Sequence, residues 1–301
     1  MGKIRYNINT CDHPYKESEL MIHFTKVCPN NCAFCIDKIN MGVNTVKPDI
    51  NAIIKTINKY KNEVKNITIS GGEPFVFINE LYELVSWIKE NTNLKILIIT
   101  SVPNICYKEK EKFFEILDKC DSIQLSLQHY MSAIVDKITG TASNFNRNGF
   151  YKEILDHCGA DKILGSINVL KPYFEHRWDI LRNVMLFNQL GFKNIKICEM
   201  FDADDLYIDI PKTLGIKMNS PFASGCKTEI KDVDKLYKKD AELCDYHFDG
   251  HLYIKRTCFY RTHLKQASIW DFIKICTRWI FAKKYFFGVV HENGQIAPYW
   301  I

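Results

Sequence analysis

A parallel α/β fold closing as a partial (β/α)6 barrel is predicted by three features of the sequence. Short apolar runs rich in β-branched residues recur along the chain, amphipathic segments of helical period separate them, and cysteine- or glycine-rich loops sit where the first two runs end. Leu20 to Thr25 reads as a buried first strand. Pro48 to Val64 follows as a helix, because Ile53, Ile54, Ile57, Tyr60 and Val64 recur at helical spacing and form one apolar stripe. Strands are predicted next at Ile67 to Ser70, Leu94 to Thr100, Ser122 to Leu127, Lys162 to Leu170 and Ile195 to Met200. Helices are predicted between them at Asn79 to Glu90, Glu109 to Lys119, Asn146 to His157 and Phe174 to Leu190, the last stopped by Gly191. Such alternation implies parallel strands with right-handed crossovers, so functional groups belong at the C-terminal ends of the strands. The pattern divides the chain into an N-terminal extension over 1–19, the barrel over 20–200 and a small α+β C-terminal extension over 201–301.

Composition narrows the function classes. With 47% hydrophobic and 25% charged residues the chain has a globular balance, and 301 residues can enclose a large core. The net charge of +5 is spread among 35 acidic residues without a long basic run, so nucleic acid is not indicated as a partner. No run reaches the roughly 18 apolar residues of a membrane span, and Met1 to Asn9 lacks a signal-peptide core. A cytoplasmic protein is expected, in which the 12 cysteines are thiols or metal ligands rather than a disulfide framework.

Three of those cysteines fall together in Cys28-Pro-Asn-Asn-Cys32-Ala-Phe-Cys35, in the loop leaving the first strand. So short a loop can turn three thiolates toward one centre, and thiolates suit zinc or an iron–sulfur cluster. The alternatives are a zinc knuckle or three unrelated core cysteines; the spacing favours a metal. With Cys11 and Cys106 far away in sequence, one metal corner is left for a directly bound substrate or cofactor. At the end of the second strand, Ile67-Thr68-Ile69-Ser70 runs into Gly71-Gly72-Glu73-Pro74. Consecutive glycines are expected to let the backbone approach a ligand and expose its amides, Glu73 offers a carboxylate to an ammonium, and Pro74 stops the strand. Alone, such a turn is ordinary loop chemistry.

The Cys-x3-Cys-x2-Cys spacing, with the aromatic Phe34 before its last cysteine, and the Gly-Gly-Glu-Pro segment on the next strand together resemble the radical S-adenosylmethionine superfamily, from about Met21 to Met200. The resemblance implies a partial TIM-like barrel. It implies a [4Fe-4S] cluster on Cys28, Cys32 and Cys35, whose remaining iron is chelated by S-adenosylmethionine. Reductive cleavage would then give methionine and a 5′-deoxyadenosyl radical that abstracts hydrogen from a substrate. Phe34, Gly71, Gly72, Glu73 and Pro74 are implied to bind the cofactor, with Glu73 or its turn at the amino group. By position, Ser126 with Gln128, and Asn168, would meet the ribose hydroxyls and the methionine carboxylate. A flavodoxin- or ferredoxin-type reductant is implied as partner. A peptide or small metabolite is the expected substrate, and RNA is the alternative within the same superfamily. The rival from another class is a zinc-stabilised binding protein in which a distant Cys or His completes the site.

Other residues are weaker candidates. His129, Tyr130 and Glu199 lie at strand ends where they could touch substrate, and Ile197 and Cys198 could face the adenine. Cys106, Cys120, Cys158 and Cys198 stand singly and read as buried thiols. In the tail, Asp249-Gly250 reads as a hairpin turn and Asn293-Gly294 as another. Gly250 to Cys258 with Ala267 to Phe272 loosely resembles the SPASM or twitch extensions that carry auxiliary iron–sulfur clusters. Cys226, Cys244 and Cys258 are the ligands such a cluster would use. The cysteine pairs of a full SPASM domain are missing, which favours ordinary thiols on a remnant hairpin.

Overall fold

The structure is a computed structural model, described here for residues 6–8, 18–32, 34–35, 46–200, 205–216, 227–239, 243–255 and 284–297. A short strand β1 (Tyr6–Ile8) is followed by β2 (Glu19–His23). Helix α1 (Ile50–Tyr60) begins where Asp49 accepts a hydrogen bond from the amide of Ala52, and it buries Ile50, Ile53, Ile57 and Tyr60. Strand β3 (Asn66–Ser70) leads through a single 3-10 turn, Pro74–Phe77, into α2 (Ile78–Asn91). Then come β4 (Lys95–Thr100), the short α3 (Asn104–Lys108), α4 (Lys110–Lys119) and β5 (Ser122–Ser126). Two helices follow, α5 (Ser132–Thr139) and α6 (Arg147–Cys158), before β6 (Ile163–Val169). The chain continues through α7 (Arg177–Leu190), β7 (Asn194–Glu199) and α8 (Ile210–Leu214). Strand β8 (Lys227–Glu229), α9 (Val233–Tyr237), β9 (His251–Lys255), β10 (Lys284–Val290) and β11 (Ile296–Ala297) complete it.

The six predicted strands are β2 to β7, parallel and adjacent in chain order. The tail lengthens this sheet at both edges: β9 pairs in parallel with β7, and β10 in parallel with β2. Eight parallel strands (β10, β2, β3, β4, β5, β6, β7, β9) therefore form the body of the sheet, bordered by antiparallel β1, β8 and β11. The predicted helices are present within four residues at their ends, and Gly191 closes α7 at φ 121°. Alternation along the strands gives the sheet two different faces. Ile22, Ile67, Ile69, Ile96, Ile98, Ile123, Leu125, Ile167, Ile195 and Ile197 point into a core shared with the helices. Register places His23, Ser70, Gln124, Ser126, Ser166, Asn168, Lys196 and Cys198 on the opposite face. Complete burial of one Ile in that core is worth about 1.5–3 kcal/mol, so the helical layer fixes the sheet and leaves the polar face for chemistry.

One tail expectation is corrected. Asp249-Gly250 does not join two hairpin strands: it leads the chain into β9, whose antiparallel partner β8 lies well upstream, beyond α9. Gly250, at φ 145°, passes so close to Lys193 that a Cβ would stand 2.1 Å from its carbonyl oxygen, and the His251 amide donates to that same oxygen. The glycine serves entry into the sheet. Asn293-Gly294, by contrast, does turn β10 back onto β11.

Candidate functional site

Where β2 ends, the chain carries Cys28, Cys32 and Cys35 in a loop held from three sides. The first side is the glycine turn after β3. The Gly72 amide donates to Thr25 O at 2.6 Å, and the Glu73 amide donates to Val27 O at 2.9 Å. A Cβ on Gly71 would lie 2.6 Å from Thr25 O and one on Gly72 2.3 Å from Val27 O. This revises the physical role expected of the two glycines: they let the turn pack beneath the cysteine loop, and the amides of Gly72 and Glu73 are bonded to that loop rather than exposed. The second side is the end of β4, where Asn30 Nδ2 donates to Ser101 Oγ at 2.9 Å. On the third, the Asn31 amide donates to Thr139 O at 2.5 Å and Thr141 Oγ1 donates to Pro29 O at 2.8 Å.

Glu73 joins these anchors. Its carboxylate, in a residue only 1% exposed, accepts from Thr100 Oγ1 (2.8 Å), the Ser101 amide (2.8 Å), Ser101 Oγ (2.6 Å) and, more weakly, the Phe75 amide (3.4 Å). Burial pushes its pKa up and the Ser101, Thr100 and Phe75 hydrogen bonds pull it back. Val102, next in the chain, sits at φ 54°, a strained position for a β-branched residue, and its amide is bonded to Thr100 Oγ1. Pro74 starts the 3-10 turn that Glu73 caps.

The three cysteines are partly buried. Burial holds the Cys28 thiol up at about 12; a hydrogen bond from the Asn30 backbone lowers it, and the negative charges of Glu73, Cys32 and Cys35 raise it further. A metal or cluster binds thiolates and releases their protons, offsetting that penalty. Among the described residues, the three sulfurs are not gathered to the mutual spacing of ligands on a single ion, a spacing found only for His23, His291 and Glu292. A zinc ion draws its donors to one centre, whereas a cluster spreads them over separate iron corners. Three thiolates are the ligand type that an iron–sulfur cluster takes. Cys35 donates from its amide to Cys32 O at 3.2 Å, with half-buried Phe34 between them.

The remaining predicted residues lie at the same end of the sheet. Ser126 is the last residue of β5, paired in register with Ser166, and Asn168 near the end of β6 is paired with Cys198. Gln128 follows at φ 60°, and its buried Oε1 receives no hydrogen bond, an acceptor that a hydroxyl or amine of a bound cofactor could satisfy.

Three weaker candidates have partners within the fold. His129 faces Met131 N at 3.0 Å and Asn183 Nδ2 at 3.0 Å, and burial lowers its pKa to about 4. Tyr130 packs on Phe187, and Glu199, turned to the helical face, accepts from the Ile210 amide at the start of α8. Ile197 is core, as are Cys106 and Cys120; Cys158 is half-buried, and Cys198 lies 3.6 Å from Ser166 Oγ on the polar face. Cys244 is exposed, while Cys226, Cys258 and the Ala267 to Phe272 segment lie outside the described residues. Sequence reasoning missed Asn30, at an unspecified position of the cysteine motif, and Thr100, Ser101, Thr139 and Thr141, which belong to no motif; all five act through the fold.

The sequence profile of the radical SAM superfamily matches residues 22–198, more than half of the chain. Among solved structures, that of Streptococcus suis SuiB superposes with a TM-score of 0.59 at 17% identity, covering 94% of this chain and 60% of SuiB. SuiB bound to S-adenosylmethionine gives a TM-score of 0.59 at 18% identity with the same coverage. At such identities the likeness is one of fold, and the chain spans about 60% of the length of the SuiB chain. No curated protein matches in sequence.

Proposed function

The chain belongs to the radical SAM superfamily and is an enzyme whose cofactors are S-adenosylmethionine and an iron–sulfur cluster, and from that premise we propose that Cys28, Cys32 and Cys35 hold a [4Fe-4S] cluster beside the Gly71–Pro74 turn. When bound, the two groups supply one-electron cleavage of the sulfonium and hence the 5′-deoxyadenosyl radical that abstracts hydrogen from substrate. The observation that carries this reading is the direct bonding of Gly72 and Glu73 to Thr25 and Val27, which joins the two motifs into one structure.

In this reading the chain's own groups bind and orient. Glu73 fixes Ser101, Ser101 fixes Asn30, and Asn30 stands between Cys28 and Cys32, so the cysteine loop is set before any ligand arrives. The buried carboxylate of Glu73 also attracts the ammonium of the methionine moiety, whose positive charge would offset its desolvation. Phe34, Gly71, Gly72 and Pro74 shape the methionine end, and Ser126, Gln128 and Asn168 offer hydrogen bonds to ribose and carboxylate. The polar face beyond them, with Gln124 and Lys196 bonded at 3.0 Å, receives a peptide or small metabolite. A flavodoxin or ferredoxin supplies the electron in a reducing, cytoplasmic setting.

Anaerobic reconstitution followed by iron and sulfide analysis tests the assignment. Wild type should bind about four irons and form 5′-deoxyadenosine with a reductant, and Ala at Cys28, Cys32 or Cys35 should abolish both. 5′-Deoxyadenosine formed by the triple Ala variant would rule the assignment out.

A further inference from the structure

The C-terminal ends of β2 and β10 bring two imidazoles and a carboxylate together, outside the cysteine triad. His23 closes β2 and is wholly buried; its ring centroid lies 5.8 Å from that of His291, at 53°. Glu292 Oε2 is 3.7 Å from His23 Nδ1. One ligand atom from each of His23, His291 and Glu292 falls within 4.8 Å of the others, and among the described residues no further trio of His, Cys, Asp or Glu does so. Glu292 Oε2 is buried and receives no hydrogen bond, whereas Oε1 has Lys26 Nζ at 3.7 Å. A buried carboxylate oxygen without a donor is costly and calls for a cationic partner.

The backbone presenting these groups is fixed. Residue 291 is tied to the hairpin by its amide, which donates to Gln295 O at 2.8 Å, and the Glu292 carbonyl accepts from the Asp49 amide at 2.7 Å, at the start of α1. Gly294, at φ 75°, lies so close to α1 that a Cβ would meet Ala52 at 2.4 Å, and its carbonyl accepts from Thr56 Oγ1. His23 is set by the β2–β3 ladder opposite Ser70.

We propose that His23, His291 and Glu292 form a site for one divalent transition-metal cation, of the two-histidine, one-carboxylate type. Imidazole and carboxylate donors suit zinc and its neighbours in the first row. Bonds of about 2.0–2.2 Å would draw the donors to roughly 3.3 Å apart, a closure within reach of the three side-chain torsions. Three protein ligands leave a position for water or for an incoming oxygen donor. The metal ties the β10–β11 hairpin to the strand that feeds the cysteine loop, and it places a Lewis acid at the end of the sheet where substrate arrives.

Zinc is the probe. The full chain, with its iron–sulfur cluster already loaded anaerobically, is treated with Zn2+, desalted and measured for zinc content and by zinc-edge X-ray absorption. The expected result is about one zinc per chain in a nitrogen and oxygen shell near 2.0–2.1 Å, without the sulfur shell near 2.3 Å that cysteines would give. His291→Ala and Glu292→Gln should each retain at least tenfold less zinc at unchanged iron content. Should a variant lose its iron, the shell around zinc in the wild type decides alone. A sulfur shell, no retained zinc, or undiminished zinc in either variant with its iron intact overturns the proposal.

Discussion

At Glu73 the desolvation of a carboxylate is partly offset by donors from three neighbouring residues, and this is why one side chain can connect the turn with the end of β4 and, through Ser101 and Asn30, with the cysteine loop. Glu73→Gln keeps the shape but replaces one acceptor oxygen by an NH2 group facing Ser101. The lost hydrogen bonds should lower stability by about 1–3 kcal/mol, read as a reduced denaturation midpoint. Losing the charge should weaken S-adenosylmethionine by roughly tenfold to a hundredfold, the equivalent of about 1.5–3 kcal/mol for a charged hydrogen bond. Titration of the cluster-loaded variant separates the two effects: unchanged affinity with reduced stability would leave Glu73 as a positioning residue only. Gly72→Ala acts through sterics, because its Cβ would sit 2.3 Å from Val27 O. The turn must move away from the cysteine loop, so the variant should incorporate markedly less iron under reconstitution that saturates wild type. Full iron loading would show that the contact between the two motifs is dispensable.

Among the elements, the corner after β5 gives a pH-dependent signature. His129 is buried there, with Nδ1 accepting from the Met131 amide and Nε2 lying 3.0 Å from Asn183 Nδ2. Burial therefore lowers its pKa from the usual 6.5 to about 4, with the Asp179 carboxylate opposing. Between those values the unfolded chain binds more protons than the folded one, so stability rises with pH across the window. The contribution is present in full above about pH 6.5 and is lost as pH falls toward 4. Urea midpoints measured from pH 4 to 7 should climb less steeply in His129→Gln than in wild type, and parallel curves would remove His129 from the linkage. The same corner shows what a sequence hides. Period and composition located β5 and α7, but α5 is a short helix of eight residues whose buried apolar positions, Val135 and Ile138, are too few to reveal a stripe. His129 and Glu199 stand at strand ends, and only packing shows that one meets Asn183 and the other the start of α8.

For the molecule as a whole, local pattern revealed the six central strands and the two motifs, since each rests on residues close together in the chain. Pairing of β10 with β2 was illegible: it joins segments more than two hundred residues apart, and no turn chemistry links them. The loop anchors Asn30, Ser101 and Thr141, and the grouping of His23 with His291 and Glu292, stayed hidden for the same reason. In the tail, β9 and β10 complete the sheet, which gives that region a structural purpose without any cluster. Cys244 is exposed, and the paired cysteines of a full SPASM domain are absent from the sequence. A four-thiolate site would thus lack evident ligands. Iron counting on the Cys28, Cys32 and Cys35 triple Ala variant decides the matter, because iron that remains must be held elsewhere. Little or none is expected. About four irons surviving in that variant, and lost on the further change Cys258→Ala, would instead make the tail an electron-transfer module and reverse this reading.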